Sequence, residues 1–370
     1  MTPARTFLGK LERRAATGAA VLGGCALILS FFEASWVPTA WRLAVFTCLA
    51  PALGSLILIL IHRIAGGQWV TGIAPFLRAA VGLLPWIWVL ALPILLMPRP
   101  PASGSKHLAL GFSYEGLPFV LGRAVVIGIL FFMLRRWLSD GVGDLEVPMR
   151  NRRTWVGPVG LILTFFTLTF LGDDWLESLE SGWHSTAFPV IWMASQVVSG
   201  LSLALLCGLH CGTQPGAQPG AQPSRSGVAG RPLGIDWGNL LLATMMFWTY
   251  VAFCQFLIIW SGNLPEEISW YVRREAGGWK WLAPSVALFG FAVPFFLLLS
   301  RRVKRSVPGL SSVASLLLGS QWVYLVWVIV PAQGIPPFPA LVMIVAASAA
   351  AAAVFINRFV RRVRLAEAIP

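Results

Sequence analysis

Charged side chains are scarce in this chain, because Asp, Glu, Lys and Arg make up only 12% of its 370 residues while 57% are hydrophobic. That balance excludes a water-soluble globule of this length. Each apolar run is long enough to cross a bilayer, and unbroken runs favour helices over the strands of a closed barrel. The predicted spans are 17–35, 41–61, 77–97, 116–138, 154–172, 187–208, 238–260, 281–300, 309–331 and 339–360.

Histidine and cysteine are also few, at four and five residues. Haem held by two histidines needs a pair at membrane depth on facing helices, whereas the four histidines fall in loops or at helix ends. Cys207 and Cys211 flank His210 but lack the second half of a zinc site. We therefore predict no haem, no disulfide framework and no metal bound by this chain.

Motifs for nucleotide hydrolysis, for serine hydrolases and for zinc proteases are absent from the sequence. The apolar runs also hold almost no carboxylates, which argues against a self-sufficient proton pump. Arg123 is the plain intramembrane charge, and we expect it to face protein or a polar cavity rather than lipid. Arg123 is either a structural residue or part of a ligand site or a proton path.

The net charge of +13 is distributed by side of the membrane. Positive charge collects in cytoplasmic loops, so both termini are predicted to be cytoplasmic and the basic excess to meet anionic lipid rather than nucleic acid. The residues assigned to that side are Arg5, Lys10, Arg13, Arg14, Arg63, five arginines from Arg135 to Arg153, Arg225, Arg231, Arg301, Arg302, Lys304, Arg305 and Arg358 to Arg364.

A Pro/Gly repeat divides the predicted helices six and four. The segments are a cytoplasmic stretch 1–16, helices one to six in 17–211, a flexible linker 212–236, helices seven to ten in 237–361 and a cytoplasmic tail 362–370.

Two outward loops, 173–186 and 261–280, are polar and rich in tryptophan. In the first, Trp175, Leu176 and Leu179 have helical spacing, which favours a short amphipathic helix in the membrane interface. In the second, Pro265 with the two carboxylates after it is typical of a helix start. The alternative is that these carboxylates build an outer polar patch with residues of the first loop.

These loops and their helices resemble a known family. Asp174-Trp-Leu-Glu-Ser-Leu-Glu180, Trp183-His-Ser-Thr186, Phe247-Trp-Thr-Tyr-Val-Ala-Phe253 and Gln255-Phe-Leu-Ile-Ile-Trp-Ser-Gly-Asn-Leu-Pro-Glu-Glu267 are similar to the ActF-type membrane subunit, or quinone-binding subunit 2, of alternative complex III. That family belongs to the wider NrfD-like, polysulfide-reductase-like membrane subunits. The resemblance implies an all-α polytopic protein, with ten transmembrane helices forming two four-helix bundles plus two extra helices.

The resemblance also implies a non-redox subunit of a quinol:cytochrome c oxidoreductase in the bacterial cytoplasmic membrane. Quinol is the implied ligand, and haems and iron–sulfur clusters belong to partners: an NrfD-like quinone-binding subunit, an iron–sulfur subunit and multihaem cytochromes. Candidates for quinone binding or a proton path are Asp174, His184, Arg123, Glu266 and Glu267. Candidates for partner docking are Trp175, Glu177, Trp183, Trp260 and Asn263.

The sequence departs from the family pattern where Gly290 replaces a frequent histidine and Tyr324 replaces an acid. Both changes weaken a proton-conducting role. His184 also has a plain alternative as a hydrogen-bonding surface residue. Two other functions stay open: a stand-alone transporter or channel for a small solute, and a purely structural anchor for redox subunits.

Overall fold

The computed structural model describes residues 3–70, 72–97, 117–139, 155–180, 182–211 and 233–367. Within these residues the chain is 89% helical and contains no strand. The fold is therefore all-α, as the long apolar runs predict. Predictions that concern His107, Glu115 and the Pro/Gly repeat lie outside the described residues.

Fourteen α-helices are described. They are α1 (Pro3–Ser30), α2 (Val37–Ala65), α3 (Ala74–Val81), α4 (Leu84–Ala91), α5 (Leu117–Ser139), α6 (Val156–Trp175), α7 (Phe188–His210), α8 (Leu233–Gly262), α9 (Pro265–Glu275), α10 (Leu282–Ala287), α11 (Val293–Leu299), α12 (Arg301–Arg305), α13 (Val307–Ile329) and α14 (Phe338–Glu367). Two observed segment boundaries differ from the predicted ones. Residues 233–236 belong to α8 rather than to the linker, and α14 extends through most of the predicted tail.

Nine helical stretches of the described chain are long and apolar enough to span a membrane. They are Ala34–Ala65, Ala74–Leu96, Pro118–Leu138, Val156–Leu179, Phe188–His210, Gly234–Gly262, Gly277–Leu299, Val307–Gln333 and Phe338–Leu365. They match the second to tenth predicted spans, and the chain is a multi-pass membrane protein. The first predicted span lies in α1, which begins at Pro3 and carries four charges between Lys10 and Arg14, so a count of ten stays a prediction.

Two of these stretches are interrupted rather than regular helices. Residues 74–96 consist of α3, α4 and a 3₁₀ turn, Leu92–Leu96, with Pro85 and Pro93 at the start of the last two pieces. Residues 277–299 include a π-helical turn, Leu288–Ala292, before α11. Proline has no N–H to donate and its ring crowds the preceding turn, so each apolar run restarts at its proline.

The α2 helix lies at the centre of the structure. Its most apolar window is 89% buried, against 22% for the span containing α8 and 28% for the span containing α5. It packs against α6, α7 and α14, while α1 packs along α14 at the periphery. The largely uncovered apolar faces of α5, α8 and α11 are therefore the ones that meet lipid.

Glycines bring α2 and α7 into backbone contact. A Cβ atom added at Gly54 would lie 1.8 Å from the carbonyl oxygen of Gln196, and one added at Gly200 would lie 2.6 Å from the amide nitrogen of Ser55. Small residues at such a crossing let two membrane helices approach until their backbones touch. The crossing fixes the position of α7, whose first residues follow the outward loop 173–186.

Candidate functional site

The two outward loops meet at one end of the helices. The Trp183 ring stacks on Trp270 of α9, with 4.2 Å between ring centroids and an interplanar angle of 20°. Trp183 Nε1 also donates to the carbonyl oxygen of Glu267 at 3.1 Å. Phe188 packs edge-on against both rings. We call Trp183, Phe188 and Trp270 the aromatic cap.

Arg274 joins the aromatic cap to α13. Its residue is 1% exposed, and its guanidinium carbon lies 3.3 Å above the Trp270 ring. The guanidinium donates to the carbonyl oxygens of Trp270 at 2.8 Å, Trp327 at 3.1 Å and Val328 at 2.8 Å. Its Nη1 also lies 3.6 Å from Glu180 Oε2. These contacts hold α9, α13 and the first outward loop together.

Glu180 lies between two arginines. Arg273 Nε is 2.8 Å from its Oε1, and the Glu180 side chain is only 2% exposed. Burial raises the pKa of the Glu180 carboxyl, while the charges of Arg273 and Arg274 oppose that rise. These three residues do not stand out in the sequence, because their relation depends on the meeting of two distant segments.

Arg123 has a buried acidic partner. Its Nε and Nη2 donate to the two carboxylate oxygens of Asp174 at 2.9 and 2.5 Å, and the side chains are 14% and 8% exposed. The expectation that Arg123 faces protein is confirmed. The paired geometry matches the planar fork of arginine, so Asp174 holds α5 to the end of α6.

A second group of polar side chains lies beside this pair. Ligand atoms of Asp173, Glu177 and His184 lie within 4.8 Å of one another, and His184 Nδ1 is 3.8 Å from Asp173 Oδ1. Glu177 is 3% exposed, and its Oε2 accepts the N–H of Ser185 at 3.1 Å. The structure thus places His184 next to Asp173, while Asp174 is engaged by Arg123.

The predicted interfacial helix around Trp175 is wrong. Trp175 ends α6, a 3₁₀ turn follows at Glu177–Leu179, and Trp175 and Leu176 are 2% and 0% exposed. The apolar spacing reflects packing inside the protein, where Trp175 stacks on Trp88 at 5.3 Å. Trp183 is likewise 1% exposed. Trp175, Glu177 and Trp183 are therefore buried residues that position the loop, not surface residues that dock a partner.

The predicted helix start in the second loop is confirmed. Leu264 precedes α9, Pro265 is its first residue, and Glu266 and Glu267 occupy its first turn. Asn263 adopts a left-handed conformation with φ of 49°, which asparagine tolerates better than most residues and which ends α8. Among the described residues, no hydrogen bond or ion pair connects the two carboxylates to Asp174 or His184.

Trp260 and Asn263 remain exposed at the C-terminal end of α8. The Trp260 residue is 67% exposed, and Asn263 is also exposed at the turn between α8 and α9. Of the five predicted docking residues, these two are the ones that are exposed. An amphipathic tryptophan at this level is also typical of the boundary between lipid and water.

A cavity that was not predicted from the sequence lies near the middle of the helices. It measures about 280 Å³ and lies between α2, α7, α13 and α14. Gln321 of α13 lines it and is 2% exposed, and neither amide atom has a hydrogen-bond partner among the described residues. Most of the other lining residues are apolar. A glutamine inside the apolar run 309–331 was the available signal, since buried polar groups within a membrane are costly.

The positions of Gly290 and Tyr324 converge on Trp248. A Cβ atom at Gly290 would lie 2.5 Å from Ser320 Oγ and 3.4 Å from the Trp248 ring, so there is no room for a histidine. Tyr324 is 5% exposed and packs edge-on against Trp248 at 5.5 Å. Both departures from the family pattern thus belong to one aromatic packing arrangement.

Comparison with known proteins gives no family assignment. A scan against protein-family models finds no match, and a search of the curated proteins finds no relative. The similarity to the ActF-type subunit therefore stays a prediction that rests on the sequence segments themselves.

Proposed function

We propose that this chain is a membrane subunit of a bacterial quinol-oxidising complex of the alternative complex III type. The observation that carries the proposal is the meeting of the two family-like segments in one place. Trp183 of the first stacks on Trp270 and bonds to Glu267 of the second. Trp183 and Glu267 are 84 residues apart in sequence, and the two loops that hold them build one surface at this end of the helices.

The helix contacts support the bundle arrangement that this family implies. One group consists of α2, the pair α3 and α4, α5 and α6, each in contact with its neighbours. A second consists of α7, α8, the run from α10 to α11, and α13. Outside these groups, α14 packs against α2 and α3, and α1 packs along α14. Basic residues near Arg301 and Arg361 lie at the opposite end from the aromatic cap, which supports cytoplasmic termini.

The cavity at Gln321 supports a quinone-binding wall. A quinone ring needs a donor and an acceptor for its oxygens and an apolar cleft for its tail. The Gln321 amide offers both functions in an otherwise apolar cavity. Gln321 lies eight residues before Ile329, or about 12 Å below the outer end of α13. Gln321 in this cavity is therefore a better candidate for binding the quinone ring than His184 with its neighbouring aspartate.

The packing around Trp248 favours a wall or scaffold over a proton path. Gly290 and Tyr324 occupy the positions where the family pattern has a histidine and an acid. Glycine has no ionisable side chain, and a tyrosine hydroxyl holds its proton too tightly to exchange it near neutral pH. We propose that electrons pass to iron–sulfur clusters and haems on partner subunits. Those partners dock at the outer end, beside Trp260 and Asn263.

Co-purification tests the complex directly. When the tagged chain is extracted from its native membrane in mild detergent, we expect iron–sulfur and multihaem cytochrome subunits to accompany it and to add haem absorbance. Partners are expected because quinol oxidation requires a redox centre, which the proposal assigns to other chains. A lone, monodisperse chain that catalyses solute uptake in vesicles would instead establish the transporter.

Replacement of Gln321 tests the quinone wall. In the assembled complex, Gln321→Leu is expected to raise the KM for quinol about fivefold to tenfold, because one or two hydrogen bonds to the ring are lost. The measurement is quinol oxidation at several quinol concentrations. Gln196→Leu is the matched control, since this amide is equally buried but does not line the cavity. Equal effects of the two substitutions would contradict quinone binding at Gln321.

A further inference from the structure

We propose that Asp173, Glu177 and His184 form a binding site for a divalent transition metal, with Zn²⁺ as its ligand. The three side chains offer two carboxylate oxygens and one imidazole nitrogen within 4.8 Å of one another. The proposal does not depend on the proposed function, because it concerns only these side chains.

The spacing of the ligands follows from the backbone. Asp173 and Glu177 are four residues apart, so the last turn of α6 and the 3₁₀ turn after it direct both toward one side. Gly182, with φ of 81°, then turns the chain so that His184 faces Asp173 at 3.8 Å. Zinc bonds of about 2.0 to 2.2 Å in tetrahedral geometry bring two ligand atoms to about 3.4 Å apart. The three ligand atoms therefore need to approach one another to hold the ion, and the exposed His184 side chain has room to move.

The burial of Glu177 is the second observation that points to a cation. The residue is 3% exposed, its one hydrogen bond comes from the N–H of Ser185, and no ion pair with lysine or arginine forms within the described part of the chain. A buried carboxylate next to another carboxylate is unfavourable without a compensating charge. Both also lie at the C-terminal end of α6, where the helix dipole is negative.

The donor set selects the class of metal. Calcium and magnesium prefer shells made of oxygen alone, whereas an imidazole nitrogen with carboxylates suits zinc and its neighbours. Three protein ligands leave a position for water, and the side chains of His184 and Asp173 are 57% and 35% exposed, so a metal ion has access from solvent. Ser185 orients Glu177 through its N–H, as outer-shell groups do around metal ligands.

Cobalt titration tests the site with a visible probe. The chain, stripped of metal by a chelator and held in a neutral lipid nanodisc, is titrated with Co²⁺ and then with Zn²⁺. We expect one equivalent of Co²⁺ to produce d–d absorption bands that Zn²⁺ abolishes and that excess Ca²⁺ leaves unchanged. His184→Ala and Glu177→Gln are each expected to raise the Kd by at least about tenfold. Glu266→Gln, an exposed carboxylate at the same end, is the control.

Other outcomes would overturn the proposal. Binding that survives His184→Ala indicates an adventitious site, and displacement by Ca²⁺ indicates an oxygen site. An intense thiolate-to-cobalt band that disappears with Cys207→Ser would assign the metal to the cysteines of α7. If a variant fails to fold, X-ray absorption of the zinc-loaded wild type decides the matter. Nitrogen and oxygen neighbours at about 2.0 Å support the site, and sulfur at about 2.3 Å refutes it.

Discussion

Gly54→Ala is expected to separate α2 from α7 and to lower the free energy of unfolding by more than about 3 kcal/mol. A methyl group at this position would lie 1.8 Å from the carbonyl oxygen of Gln196, far inside the 3.0 Å below which such contacts do not occur. The obstacle is backbone rather than a movable side chain, so the helices themselves must shift. Because α2 is the most buried span, that shift disturbs its packing with α6 and α14 as well.

The measurement is thermal unfolding of the purified chain in detergent, followed by tryptophan fluorescence and by the monodisperse fraction in size-exclusion chromatography. Gly122→Ala in α5 is the matched control, since an added Cβ there has nothing within 4 Å. It should be neutral or slightly stabilising, because alanine favours helices more than glycine does. A Gly54→Ala protein that melts with the wild type would show that α2 and α7 do not approach so closely.

Asp174→Asn is expected to cost about 3 kcal/mol, because it removes the carboxylate that pairs with the largely enclosed Arg123 guanidinium. The Arg123 side chain is 14% exposed, and both carboxylate oxygens of Asp174 accept its N–H groups. An asparagine side chain has only one acceptor oxygen, and its NH2 group would face the N–H donors of the guanidinium. The link between α5 and α6 is therefore expected to loosen.

A double-mutant cycle separates the pair from the rest of the site. The double variant, Arg123→Leu with Asp174→Leu, is expected to recover most of the stability that the single variants Arg123→Leu and Asp174→Leu each lose, since neither charge remains. Glu12→Gln provides a control in an ion pair near the other end of the helices. Its partners Arg361 and Arg364 are 65% and 48% exposed, and the expected loss is at most about 1 kcal/mol. Additive losses in the double variant would show that Arg123 and Asp174 do not interact.

Apolar length was enough to predict where the chain crosses the membrane, because a span depends on its own residues and on lipid. The nine spans fall on predicted runs, and the helix start at Pro265 follows from local chemistry alone. The helix breaks inside the run 77–97 were harder to predict from the sequence. Pro85 and Pro93 restart helices there, and an added Cβ at Gly82 would lie 2.4 Å from Arg362 Nη1, a contact set by α14.

The candidate site was harder to predict, because its members owe their roles to contacts between segments. Arg123 could be identified as an unusual charge, but its pairing with Asp174 joins residues 51 positions apart. Trp175 and Trp183 have the composition of interfacial residues and are nevertheless buried. Arg274 and Glu180 look like ordinary loop charges in the sequence. Burial decides all of these roles, and burial follows from how helices pack rather than from local pattern.

The packing of α1 along α14 has a consequence for how the chain is made. Some 307 residues separate the end of α1 at Ser30 from the start of α14 at Phe338. At about 5 to 20 residues per second, a ribosome takes roughly 15 to 60 s to synthesise them. During that time α1, the least apolar of the long helices, waits without its main partner. Insertion of α14, the last of the described spans, is thus the step at which α1 acquires its main partner.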